Sequence, residues 1–141
     1  MNKQFKYFST ESDFLLVFMK AHSAGCRAMK EFKPTPVSFV CCDLNDKPLP
    51  GVEEEVVEEG ECGLAWIKIY PATPKMKGLE NSFSWWVLKK EMGKFEEYTK
   101  SVNVYPPDNN QYIGRKEAYC DAFVKVLEEN EIRAFVGTYL T

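Results

Sequence analysis

Two cations directly after a glycine, Gly114-Arg115-Lys116, open a segment whose apolar spacing reads as a helix, and they are the residues best placed to do chemistry. The first turn of a helix carries free N–H groups and a partial positive charge, so it ordinarily attracts acidic side chains. Only Glu117 answers that preference here. Side-chain charge and backbone donors converging at one point would hold an anion or a phosphate. The competing reading is that both cations are solvated, which costs only about a few tenths to one kcal/mol when they are exposed. A second group is aromatic and basic. Trp85, with Lys89 and Lys90 a turn later and Tyr105 and Tyr112 in or beside a loop, would stack a base and hold its phosphate. Against this stands core packing for the rings and solubility for the lysines. The ligand-binding set expected from the sequence is therefore Arg115, Lys116, Trp85, Lys89 and Tyr112.

Other reactive residue types point to no reaction. His22 falls within an apolar helical pattern and has no Ser or Cys nucleophile motif, and the patterns of hydrolase elbows, P-loops, zinc proteases and zinc deaminases are missing. Five cysteines without a C-x-x-C pair fit neither a disulfide framework nor the common zinc spacings, and suggest a reducing compartment. Cys41 and Cys42 are neighbours in a strand pattern and so point to opposite faces. Cys62 sits beside Glu61, amid negative charge that opposes nucleophilic use. The six glutamates between residues 53 and 61 lack the turn residues and spacing of a calcium loop. No catalytic residue, metal or cofactor is expected, and the chain reads as a non-enzyme.

The elements that must position these residues follow from periodicity. Residues 2–8 alternate weakly, as an edge strand or a tail. Ser9 and Thr10 offer capping hydroxyls for a first helix over 11–32, whose stripe is Phe14, Phe18, Ala21, Gly25, Met29 and Phe32, and Pro34 and Pro36 stop it. Residues 37–43 read as a strand, and 53–61 as a solvated connection or an edge strand centred on Val56 and Val57. Residues 63–70 are the strongest strand, with Leu64 and Trp66 on one side and Ala65, Ile67 and Ile69 on the other, as in a central strand buried on both faces. A helix of about three turns follows, with Phe83, Trp86, Val87 and Lys90 on one face, Asn81 or Ser82 as cap and Gly93 as stop. Residues 99–105 form a strand with Val102 and Val104 inward. The third helix carries the stripe Tyr119, Ala122, Phe123, Val126 and Leu127, and residues 132–139 form the last strand. The sum is one α+β domain over 1–141. Its mixed or mainly antiparallel single-layer sheet has four to five strands packed against about three helices.

A chain of 141 residues can bury one core without staples, and its ten Phe, seven Tyr and three Trp supply the apolar area. The net charge of −3 is local in origin, because residues 1–61 hold seven basic and eleven acidic side chains while 62–141 hold eleven and ten. A dedicated duplex DNA binder would be more basic. No stretch approaches a membrane span, and a cytoplasmic location is expected.

Three segments, G-E-C-G-L-A-W-I-K-I-Y-P at 60–71, N-S-F-S-W-W-V-L-K-K at 81–90 and R-K-E-A-Y-C-D-A-F-V-K-V-L at 115–127 followed by I-R-A-F, resemble a group of small proteins of tailed bacteriophages. The likeness covers roughly residues 55–138. In that group the middle segment leads into a glycine-rich strand, a Gln-Ser pair precedes R-K-E-A-Y, and the chain ends Ser-Arg-Met-Asp. Here T-K-S-V-N-V-Y, N-Q-Y-I-G and V-G-T-Y-L-T stand in those places. The resemblance implies phage origin and action in the host bacterial cytoplasm, and brings no established activity or catalytic residue. Together these readings lead to a non-enzymatic phage accessory protein, for host takeover or anti-defence, that binds a host protein or a small anionic ligand such as a nucleotide. The alternatives are a single-stranded nucleic-acid binder, with nucleic acid the less favoured partner, and an enzyme whose site the sequence does not display. A homo-oligomer is left open.

Overall fold

The computed structural model describes residues 11–40, 42–51, 53–70 and 82–141. The strand expected at 2–8, the Ser9 and Thr10 caps, Cys41, the loop at 71–78 and Asn81 lie outside them. The element order is α1 (Glu11–Glu31), β1 (Val37–Phe39), β2 (Glu55–Val57), β3 (Gly63–Ile69), α2 (Phe83–Lys89), β4 (Lys94–Glu96), β5 (Ser101–Val104), α3 (Ile113–Glu129) and β6 (Ala134–Leu140). The fold is α+β, and every ladder is antiparallel.

The strands divide differently from the single sheet the sequence suggested. β1 and β2 pair only with each other, Val37 opposite Val57, while β4-β5-β3-β6 make the main sheet. The first pair is only three residues long, is preceded by Pro36 and flanked by exposed glutamates, and its Val56 lies half-exposed, so it stands as a small ladder of its own. β4 was not foreseen, because Lys-Phe-Glu is too short to show a period. α2 has two turns rather than three. Ser82 Oγ accepts the Trp85 N–H at its start, and the chain leaves the helix after Lys89, with Glu91 at φ 59°, before Gly93 is reached.

The core lies between β3, β5 and the helices. Ala65, Ile67 and Ile69 of β3 and Val102 and Val104 of β5 are buried beneath Phe83, Trp86 and Val87 of α2 and Tyr119, Cys120, Phe123, Val124 and Leu127 of α3. The buried set on α3 is wider than one stripe because α3 packs on two sides, against β3 and β6 below and α1 above. Cys120 and Val124 join it, and Ala122 and Val126 are half-buried. Aromatic rings close the helix layer: Phe18 meets Phe123 edge-on at 5.3 Å, and Phe14 contacts both Phe83 and Trp86.

One close approach fixes the α1–α3 spacing. A Cβ at Gly25 would come within 2.5 Å of the Tyr119 ring, so the absence of a side chain lets that ring seat against the α1 backbone. The Tyr119 hydroxyl then meets His22 Nδ1, and His22 Nε2 lies 3.4 Å from Cys26 Sγ. Burial, with the neighbouring Cys26 and Cys120 thiols, raises the Tyr119 phenol well above its ordinary value. Burial and the nearby Asp121 and Glu117 carboxylates push Cys120 up to about 12.

Two outcomes follow. Gly25→Ala should lower stability by about 1–3 kcal/mol, because the inserted methyl must displace a fully packed ring; urea denaturation measures this, and an unchanged midpoint contradicts the contact. Tyr119 and Cys120 bind their protons more tightly folded than unfolded, so the stability they contribute is complete below about pH 9 and lost as pH rises through about 12. Thermal melts across that range should show Tm falling in the wild type and falling less in Cys120→Ala.

Candidate nucleic-acid interface

The structure splits the five expected ligand residues into two groups. Trp85 and Lys89 sit on α2, with the Lys89 ammonium 5.1 Å from the Trp85 ring centre. Arg115, Lys116 and Tyr112 sit at the start of α3. α2 packs beside Phe14 and Phe18 through Trp86, whereas Arg115 reaches the Met29 carbonyl of α1. At about 1.5 Å per residue, Phe18 and Met29 are about 16 Å apart along α1, too far for one nucleotide to bridge both groups with full contact.

The cations at the α3 start are engaged inside the subunit. Lys116 is 4% exposed, and its Nζ donates to the Gly63 carbonyl at 3.1 Å. Arg115 donates to the Met29 carbonyl at 3.4 Å and lies 3.9 Å from Glu59. Tyr112 is the N-cap without a side-chain cap bond, and its backbone bridges to Cys62. Backbone pairing continues on either side, Gly63 N–H to the Gln111 carbonyl and Ile113 N–H to the Glu61 carbonyl. Lys116 and these bonds fasten α3 to the beginning of β3. A cavity of about 190 Å³ adjoins this junction, and its polar side chains include Glu59 and Glu61, whose charges disfavour an anion.

The other face of the main sheet presents a different surface. β3 is central by pairing, as expected, but only one of its faces is fully buried. Leu64 is half-exposed, and Trp66 and Lys68 are partly covered. Paired residues share a face, so the ladders place Leu64 beside Tyr139, Trp66 beside Gly137, and Lys94, Asn103, Lys68 and Phe135 in one row across all four strands. Phe135 is 48% and Tyr139 62% exposed, large apolar area for a sheet face. The β5 part of this face is closed, with Ser101 and Asn103 buried and bonded to each other at 2.7 Å. The β3–β6 part is open.

Cations are seated among these rings. Lys68 Nζ is 5.9 Å from the Trp66 ring centre, and the Arg133 guanidinium is 5.1 Å from Tyr70 and 5.5 Å from Phe135, which themselves meet edge-on. Gly137 makes the arrangement possible. A Cβ there would stand 2.7 Å from Trp66 Cε2 and 2.8 Å from its Nε1, so the indole lies across the bare backbone with Nε1 buried. Exposed rings with interspersed cations on one face of a four-stranded sheet, and helices on the other, are the kind of chemistry with which sheet surfaces in general take unstacked bases and phosphates.

The sequence contained the elements of this site without their grouping. Trp66 and Lys68 alternate along β3, and Phe135, Gly137 and Tyr139 alternate along β6, but their convergence requires the β3–β6 register. His22 and Cys26, a turn apart on α1, meet within the helix, and only α3 adds Tyr119 to the other ring nitrogen of His22. Among the described residues no three or more His, Cys, Asp or Glu side chains are grouped to hold a metal, and no helix is long and apolar enough to cross a membrane. No family model matches the chain, and no curated protein or solved structure matches it.

Gly137→Val should push the indole off the sheet. The Trp66 indole N–H, buried in the wild type, should then exchange faster with deuterated solvent by NMR; unchanged exchange would contradict the seating of the ring.

Proposed function

We propose that this protein is a non-enzymatic binding protein that takes single-stranded nucleic acid on the β3–β6 part of its open sheet face. The supporting observation is the cluster of Trp66, Phe135 and Tyr139 with Lys68 and Arg133 on one solvent-facing surface. Each exposed ring offers a face for a base, worth about 1–3 kcal/mol per stacked base, without preference for sequence. The two cations, with Lys94 at the end of the same row, supply the electrostatic part. The acidity of the chain does not oppose this, since much of it belongs to the separate β1–β2 ladder and the residues around it. On the strength of the resemblance alone, we read its setting as phage infection, where it serves as an accessory in host takeover or anti-defence.

Fluorescence anisotropy with a labelled single-stranded oligonucleotide tests the reading. Phe135→Ala and Tyr139→Ala, both exposed and so compatible with folding, should each weaken binding by about 5- to 100-fold, whereas Trp85→Ala should not. The slope of log K against log salt should be about −2 for three phosphate contacts, and shallower by about 0.7 in Arg133→Ala. Absent binding at low salt, or binding indifferent to both ring substitutions, overturns the assignment.

A further inference from the structure

The two edges of the main sheet differ in a way that identifies a partner. An edge strand exposes unpaired N–H and C=O groups, and proteins guard such edges by making them short or charged. β4 is guarded, with three residues including Lys94 and Glu96. β6 has neither guard: it runs seven residues, Ala-Phe-Val-Gly-Thr-Tyr-Leu, without a charge or a proline, and among the described residues no strand pairs with its outer side. Such a segment, left open, is an aggregation hazard.

The ladder fixes which groups face out. The Tyr70 N–H donates to the Arg133 carbonyl, and the Thr141 N–H to the Cys62 carbonyl. Antiparallel bonding alternates, so the odd-numbered residues of β6 bond inward to β3, while Ala134, Val136, Thr138 and Leu140 direct N–H and C=O outward.

We propose that this edge is the interface of a homodimer, in which β6 pairs antiparallel with β6 of a second copy about a two-fold axis at Gly137. The strand is self-complementary about its midpoint. In that register Ala134 faces Leu140, Val136 faces Thr138, and Phe135 of each copy faces Tyr139 of the other. About eight backbone hydrogen bonds form, and the aromatic pairs fall at the non-hydrogen-bonded positions, where side chains are closest. Gly137 meets its own copy where the backbones approach most nearly, with no side chain between them. Any other two-fold register leaves residues of β6 unpaired and separates the Phe–Tyr pairs, so a second copy in this register is the occupant that uses the whole edge. The contact is isologous and closes on itself, which removes the hazard instead of propagating it. It does not depend on what the sheet face binds.

Light scattering on the full chain across a dilution series tests the pairing, with an expected mass of twice 16.3 kDa at high concentration falling toward 16.3 kDa on dilution. Thr138→Pro removes an N–H that bonds nothing within the subunit, and Thr138→Lys places a charge on the edge. Each should raise the dimer dissociation constant at least about tenfold, equivalent to about 1.4 kcal/mol, with far-UV circular dichroism reporting the subunit fold. In the wild type, the Val136 and Thr138 amides should be protected from hydrogen exchange at high concentration and not at low, a readout that needs no variant. A chain that stays monomeric up to about 100 µM, a dimer indifferent to both substitutions, or protection independent of concentration overturns the proposal.

Discussion

The placement of α1 on α3, and not on the sheet, decides the rest of this structure. A four-stranded sheet has two faces to cover, and a chain of this length makes few helices with which to cover them. Here the longest helix spends its apolar side on another helix, through Gly25 and the Tyr119 ring and through the edge-on contact of Phe18 with Phe123. α3 becomes a middle layer, packed above and below, and the helices described all gather on one side. The β3–β6 half of the opposite face is left to Trp66, Lys68, Phe135 and Tyr139.

That arrangement also explains which parts of the fold were legible in advance. Helix stripes and strand alternation depend on neighbours a few residues away, so α1, α3, β3, β5 and β6 are readable from spacing alone. The share of α3 that is buried is not, because a helix packed on two sides buries residues such as Cys120 and Val124 that a single stripe would leave outside. β3 misleads for a related reason: an apolar residue on each side of a strand suggests two covered faces, but Leu64 and Trp66 are apolar on a face that is open or only partly closed. β4, at three residues, has no periodicity to read.

The cationic start of α3 is a case where type and spacing were sound and destination was invisible. Arg115 and Lys116 do occupy the first turn of a helix lacking a side-chain cap. A buried ammonium must find acceptors, and Lys116 finds the carbonyl of Gly63, fifty-three positions earlier in the chain. Its charge serves the junction of α3 with β3, a role that no local pattern announces. The sheet-face site shows the converse, since neither β3 nor β6 alone holds enough aromatic and basic side chains to suggest a surface, and only the register of one against the other makes it.

The β1–β2 pair stands apart from this core in energetic terms. Its ladder is three residues long, and the ion pair joining it to α3, Glu59 with Arg115, is half in solvent and is worth less than about 1 kcal/mol. Two-stranded units of this size are marginal by themselves. The polar contacts around this acidic arm thus include the Glu59–Arg115 pair and the Ile113 N–H bond to the Glu61 carbonyl at its end. Added salt, which screens an exposed pair and leaves apolar burial largely intact, therefore acts on this acidic arm before it acts on the sheet and its helices.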